Sequence, residues 1–324
     1  MVNNDVVLST RVRFARNIKD YPYKDRLDEN AAKEIIERVK NALGDEYTAA
    51  GFESFDRNKS FSYVENHIVS REFAKMVLPH ELFEKGDTKL MVCEEDHIRL
   101  QVIKKGFSLD ECYTEALETD NKLLSSLKID YNERLGYLTH CPTNLGTGMR
   151  VSVMLFLPAL YKTKMLKSII SQSDKLGLTI RGMYGEGSGS GAYLYQISNR
   201  ETLGVSEKEI ISKLKHIVEQ IITFERGERE EMKKKSGILL EDRISRALGT
   251  LKYAKLLSSE EFFELYAQLR LGVSLGIIDS VDTQTLDKLF SEVTPHTLCA
   301  FYNKEMNEGE RDIARAEYIK NKLL

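Results

Sequence analysis

Leu90-Met91-Val92-Cys93-Glu94-Glu95-Asp96-His97-Ile98-Arg99-Leu100-Gln101-Val102-Ile103 is the stretch on which the reading of the fold turns. As one extended strand, its period of two puts Leu90, Val92, Ile98, Leu100 and Val102 on one face. Cys93, Glu95, His97, Arg99 and Gln101 fall on the other. Glu95 and Arg99 then point the same way, about 13 Å apart at ~3.3 Å per residue. A sheet with one apolar, covered face and one chemically equipped face is the expectation.

Working outward, strands are expected over 135–139, 151–157, 178–183 and 192–197, separated by turns or single helices. Asp28 is placed to cap a helix that carries Ala32, Ile35, Ile36, Val39 and Leu43 at helical spacing. The fold class is therefore α+β, with a largely antiparallel sheet flanked by helices. Ser206-Glu207-Lys208-Glu209 is a capping box opening a helix through Ile210, Ile211, Leu214, Ile217, Val218, Ile221 and Ile222. The charged run 225–235 carries that helix into solvent. A boundary near its end divides the chain into a catalytic domain, 1–232, and a C-terminal helical bundle, 233–324. Within the bundle a second capping box, Ser258 to Glu261, opens one helix, and Asp282 and Glu310 precede two more.

Composition narrows the function. The chain has 324 residues, and 47 Lys+Arg against 50 Asp+Glu leave a net charge of −3, which argues against a dedicated nucleic-acid binder. Apolar runs such as 153–157 are far shorter than the roughly 20 residues that span a bilayer. Met1 to Asp5 leads into polar, Arg-rich sequence instead of a secretory leader, so the cytoplasm is the expected location. Cys93, Cys112, Cys141 and Cys299 form no CxxC pair, so neither a zinc site nor a disulfide framework is indicated.

Three further segments carry chemistry. Ser9-Thr10-Arg11-Val12-Arg13 sets two guanidinium forks on one side of an extended chain, which suits a polyanion. In Cys141-Pro142-Thr143-Asn144-Leu145-Gly146-Thr147-Gly148-Met149-Arg150, Pro142 forces Cys141 towards an extended conformation and the glycines allow a tight turn. Arg181-Gly182-Met183-Tyr184-Gly185-Glu186-Gly187 ends a strand with Arg and Glu beside flexible turns. No GxxxxGK[ST] occurs, and the spacing around Gly189 and Gly191 does not fit a dinucleotide fold. What remains is a phosphate site built from arginine side chains on a sheet.

Together with Tyr195-Gln196-Ile197-Ser198-Asn199, these motifs resemble the phosphagen (ATP:guanidino phosphotransferase) kinase family, and within it the bacterial protein arginine kinases. The resemblance implies that Arg11, Arg13, Arg99, Arg150 and Arg181 cradle the phosphates of ATP, with Mg²⁺ neutralising the rest and no metal site in the protein itself. Ser9, Thr10, Val12, His67, Val151, Ser152, Val153, Met154, Gly182, Met183, Tyr184, Gly185 and Glu186 complete the implied nucleotide-binding set. Glu95 and Glu186 would hold the acceptor guanidinium, Glu95 as the base, and Cys141 would help to position it. The run 187–191 is poorer in side chains than the family pattern, where an acidic residue commonly follows Glu186.

Arg311-Asp312-Ile313-Ala314-Arg315-Ala316 resembles the RDxxRA phosphoarginine-binding motif of protein arginine kinases, which implies an allosteric site at Arg311, Asp312, Arg315 and Ala316. By the same resemblance, the expected activity is ATP-dependent phosphorylation of exposed arginine side chains in proteins. It further implies marking for a Clp protease, action on a heat-shock repressor, a partner activator and a homodimer, without membrane or direct nucleic-acid contact. A kinase for free arginine or another small guanidino compound is the enzymatic alternative. A non-catalytic phosphoarginine-binding adaptor is the other.

Overall fold

The computed structural model describes residues 4–182 and 192–324. Chain order is β1 (Val7–Arg16), α1 (Glu29–Leu43), β2 (Thr48–Ala49), α2 (Arg57–Glu65), β3 (Glu81–Lys85), β4 (Thr88–Val92), β5 (Ile98–Lys105), α3 (Leu109–Ser126), β6 (Tyr131–Asn132), β7 (Gly136–Tyr137), β8 (Met149–Phe156), α4 (Pro158–Lys162), α5 (Leu166–Lys175), β9 (Leu178–Gly182), β10 (Leu194–Asn199), α6 (Glu207–Tyr253), α7 (Ser259–Ser274), α8 (Thr283–Glu292), α9 (Pro295–Tyr302) and α10 (Glu308–Leu323). The α+β expectation holds: an eight-stranded sheet runs β2-β3-β4-β5-β1-β8-β10-β9, and the neighbouring pairs are antiparallel.

Side-chain alternation gives this sheet two unlike faces. Val12, Phe14, Leu100, Val102, Val151, Val153, Leu155 and Ile197 are buried in one cluster with Ile35 and Val39 of α1, Cys112 and Ala116 of α3, and Leu214 and Val218 of α6. Burying such side chains contributes about 1.5–3 kcal/mol each, so this face holds the sheet to its helices. On the other face the cover is partial. At the β3–β4 side, Leu82 and Met91 pack under Phe52, Val69 and Phe73. At the β8–β10 side, Phe156 and Leu194 pack with Leu240, Ile244, Ala267 and Leu271 of α6 and α7. Polar side chains occupy the floor left open between these two covers.

Three expectations change. The segment 90–103 is not one strand but the hairpin β4–β5, in which Leu90 faces Leu100 and Met91 faces Arg99. Cys93 turns the chain with φ 66°, and Cys93 N donates to His97 O at 2.9 Å, so the period of two is lost between Val92 and Ile98. The strand expected over 135–139 shrinks to β7, paired with β6. Glu310 does not precede its helix: Asn307 caps α10 and Glu310 returns the bond, completing a capping box inside the first turn.

The C-terminal helices form the expected helical region and also pack on the sheet. They have a cluster of their own around Phe262, Tyr266, Leu286 and Ile319, yet they also share the Phe156 and Leu194 cluster with the sheet. The Ser206 capping box forms as expected, and α6 runs for 47 residues with a single non-helical residue, Gly237 (φ 41°, ψ −121°).

Candidate active site

The open floor is built by register. Antiparallel partners share a face: Arg13 lies opposite Arg150 on β8 and Gln101 on β5, and Arg11 lies opposite Ser152. Ala15 lies opposite Arg99, and Arg181 on β9 lies opposite Gln196 on β10. Arg11, Arg13, Arg99, Arg150 and Arg181 therefore come together on one face, drawn from four strands. Ser9, Ser152 and Met154 share it.

Thr10, Val12, Val151 and Val153 do not. They are fully buried on the opposite face, where Thr10 Oγ1 donates to Gly106 O at 2.7 Å. Only their backbone lies beside the floor, because a strand cannot present consecutive side chains to one ligand.

The charges on this face are poorly balanced. Burial and the neighbouring Arg99 and Arg150 push the Arg11 guanidinium down to about 10. Arg13 is driven down by burial and then by Arg11, Arg99 and Arg150, with Glu94 as the opposing influence. Arg150 moves down through burial and then Arg181, while Cys141 acts the other way. The Nε of Arg13 is buried with no hydrogen-bond partner among the described residues. A cluster of cations that repel one another, with a donor left over, is a site shaped for a polyanion.

Two carboxylates face it. Glu94 and Arg99 Nη1 are 2.9 Å apart, and Glu94 is almost wholly buried, receiving Ser70 Oγ at 2.6 Å and Glu95 N at 3.0 Å. Glu95 stands 3.3 Å from Arg99 Nη2 with its side chain 31% exposed. The hairpin thus replaces the expected ~13 Å along a strand with direct contact.

Glu94 was missed by the alternation argument; its signal was the adjacent acidic triplet, which is hard to fit on one solvated strand edge. Cys93 and His97 leave the site face. Cys93 packs at the Ala32 carbonyl (Sγ to O 3.7 Å), and His97 Nδ1 accepts from Ile18 N at 3.0 Å while Nε2 reaches Pro22 O at 3.0 Å.

His67 sits at the rim with φ 57°. Its carbonyl accepts from Arg11 Nη1 at 3.3 Å, and Ile68 O accepts from Gln101 Nε2. The residue is exposed to solvent, yet desolvation by the protein around it and then Arg11 push its imidazole down to about 4. Cys141 is extended, as Pro142 requires, half-buried, and 3.0 Å from Thr143 Oγ1. Gly148 takes φ 62°, and a Cβ there would meet Arg16 Nη1 at 2.5 Å, so the tight entry into β8 needs glycine. Met183, Tyr184, Gly185, Glu186 and the run 187–191 lie outside the described residues.

Cavity size alone does not find this place. A concavity of about 900 Å³ lies at Glu46, Lys85, Lys104, Glu115 and Lys122, but each of those lysines is paired with a carboxylate.

Residues 29–228 match the family model described as ATP:guanido phosphotransferase, C-terminal catalytic domain, and residues 237–324 match the Protein-arginine kinase McsB C-terminal domain. The chain belongs to the ATP:guanido phosphotransferase family. It is 41% identical to the protein-arginine kinase of Caldanaerobacter subterraneus subsp. tengcongensis, over 99% of this chain and 98% of that protein. With the protein-arginine kinase of Clostridium acetobutylicum it shares 40% over 99% and 97%. Within its family it is a protein-arginine kinase, a guanidino phosphotransferase that uses ATP.

A lombricine kinase structure matches this kinase with a TM-score of 0.59 at 24% identity, covering 69% of this chain and 67% of that one. The duplicated taurocyamine kinase of Schistosoma mansoni matches at 0.63 and 23%, covering 78% and 40%. These two share its fold. Among the described residues no helix is long and apolar enough to cross a membrane.

In the C-terminal region the structure separates the RDxxRA residues. Arg311 lines a cavity of about 210 Å³ with Arg57, Asn58, His296, Cys299 and Glu305. Arg315 and Ala316 are buried, and Arg315 donates to Val293 O at 2.9 Å, Leu257 O at 2.7 Å and Asp312 Oδ1 at 2.6 Å.

Proposed function

We propose that the arginine face binds the triphosphate of ATP and that Glu95, with Glu186, aligns the guanidinium of a protein arginine in line with the γ-phosphorus. The observation that carries this reading is the under-compensated cation cluster around Arg13, whose Nε has no acceptor among the described residues. An arginine side chain titrates above 12 and is a poor nucleophile while protonated. As its nitrogen bonds to the γ-phosphorus, the bond from that phosphorus to the β,γ-bridging oxygen breaks and ADP leaves. The proton lost from the guanidinium passes to Glu95. The arginines supply in-line positioning and charge stabilisation, and Cys141 lies close enough to Arg150 to order the border between donor and acceptor.

Among the described residues no group of three or more His, Cys, Asp or Glu side chains stands ready for a metal. Mg²⁺ would come with the nucleotide and would supply charge shielding between its phosphates. The catalytic part is taken as 1–232 and the regulatory part as 233–324, a division supported by the nearby break at Gly237. Arg311 is proposed to recognise the phosphoryl group of phosphoarginine at the 210 Å³ cavity it lines, with Asp312, Arg315 and Ala316 completing the site beside and behind it.

A cytoplasmic homodimer, an activator protein, delivery of marked proteins to a Clp protease and control of a heat-shock repressor complete the proposal. They are supported by family membership over both parts of the chain.

Incubation with γ-labelled ATP and either free arginine or an Arg-rich protein tests the reading. Acid-labile label on protein alone is expected. Label on free arginine alone would move the substrate class to small guanidino compounds, and no label on either would leave a binding adaptor.

A further inference from the structure

One carboxylate joins the catalytic sheet's cover to the C-terminal helices. Glu65, the last residue of α2, accepts from His296 N at 3.0 Å, Thr297 N at 2.9 Å and Thr297 Oγ1 at 3.0 Å. Those two N–H groups belong to the first turn of α9, where no acceptor exists within the helix. Thr294, the N-cap, makes no side-chain cap bond. Glu65 therefore does the work of a cap from a distant part of the chain, with a full negative charge at the positive end of the helix.

The surrounding contacts have the same direction. Asn58 Oδ1 lies 2.9 Å from His296 Nδ1 and its Nδ2 donates to Glu305 at 2.8 Å, while Phe61 stacks on His296 with ring centroids 5.0 Å apart. From behind, Arg315 fixes Val293 O, two residues before Pro295.

Immediately after Glu65 the chain makes its contacts with the arginine face. His67 O receives Arg11 and Ile68 O receives Gln101. The turn is itself pinned to α2, because His67 N donates to Val64 O at 2.9 Å and Ile68 N to Tyr63 O at 2.9 Å. Within residues 65–68 one side chain grips α9 and two carbonyls grip the floor of the site.

We propose that Glu65 is a positioning residue for nucleotide binding: by capping α9 it sets the His67–Ile68 carbonyls, and through them the guanidinium of Arg11. The inference rests on the reading of the arginine face as the nucleotide site. Without the grip, the turn relaxes, and Arg11 is left to the repulsion of Arg99 and Arg150. The C-terminal helices thereby contribute to ATP affinity without touching ATP.

The test is Glu65→Gln in the full chain, which keeps the size of the side chain but removes its charge and turns an amide NH₂ towards the N–H donors of α9. KM for ATP should rise roughly fivefold or more, the scale of a coupling between sites, while kcat at saturating ATP stays within about twofold. Thr297→Val, which deletes one of the three donors, should shift KM in the same direction by less, and it serves if the glutamine variant does not fold.

On an Arg11→Ala background, Glu65→Gln should add no further loss of ATP affinity. Full additivity there, or a fall in kcat with KM unchanged, would overturn the proposal. Arg150→Ala separates the two ideas. If it weakens ATP binding while Glu65→Gln and Thr297→Val do not, only the role of Glu65 falls; if Arg150→Ala binds ATP normally, the nucleotide site and the role of Glu65 fall together.

Discussion

Arg13 and Arg16 stand three residues apart on β1 and face opposite sides of the sheet, and their surroundings are inverted. Arg16 is 1% exposed and well supplied: Nε and Nη2 donate to Asp120 at 3.0 and 2.7 Å, and Nη1 donates to Ala15 O and Thr147 O at 2.9 and 3.0 Å. Its guanidinium also lies over the Tyr137 ring at 3.5 Å. Arg13 has an Nε without a partner among the described residues, and other arginines for neighbours. A buried cation with acceptors for its donors is architecture, whereas a cluster of cations short of acceptors is a place prepared for a ligand.

The largest expected effect breaks the architectural half of this contrast. Arg16→Ala leaves Asp120 buried without its cation, and removing one partner of a buried pair costs about 3–5 kcal/mol. Chemical denaturation should show that loss, while Arg13→Ala, which relieves repulsion, should leave the midpoint unchanged or raise it. Equal destabilisation by both variants would erase the distinction.

Next in size is Glu95→Gln, set against its neighbour. Glu94 is tied to Ser70 and Arg99 in the interior, whereas Glu95 keeps an exposed carboxylate edge. Loss of a positioned base should lower kcat by a factor on the order of 10² or more with the fold intact. Near-normal turnover would pass the role of base to Glu186. Arg150→Ala should weaken ATP binding by about tenfold or more, the scale of a lost hydrogen bond between charged groups. Arg150→Lys should recover part of that, because a point charge lacks the planar fork. Nucleotide titration by calorimetry reads both.

How much of this was legible in the sequence depends on distance along the chain. The two-faced sheet could be read because alternation is local: Val12 and Val151 are apolar, and Arg11, Arg13 and Arg150 are not. The capping box at Ser206 and the cap at Asp28 were legible for the same reason. The hairpin at Cys93 was not. A residue other than glycine in a left-handed turn leaves no pattern, so the alternation was carried through it and Glu94 was passed over.

The motif arginines at the C-terminus show the same limit. Spacing puts Arg311, Asp312 and Arg315 on one helix face, but only packing reveals that Arg315 is consumed by Val293 O and Leu257 O. Glu65 had no local signal at all, since its partners lie more than 230 residues away.

The smallest expected effect tests the charge imbalance itself, through the ring that borders it. In the free kinase His67 is pushed down to about 4, by reduced hydration and then by Arg11, from an ordinary 6.5. Between those values the unfolded chain holds more protons than the folded one. The contribution of His67 to stability therefore falls as pH drops from 6.5 towards 4, and it is level outside that window. Because the ring is solvent-accessible, this contribution to stability is small, and NMR titration of the imidazole is the better measurement.

Phosphates placed on the arginine face oppose the field of Arg11, so ADP should move the His67 titration upward, and the complex should take up a proton in that range. Relative to His67→Gln, ADP affinity of the wild type should then rise as pH falls from 6.5. A titration that does not move when ADP binds would mean that the shift comes from reduced hydration alone, with Arg11 already neutralised by the protein, and the contrast between Arg13 and Arg16 would lose its electrostatic basis.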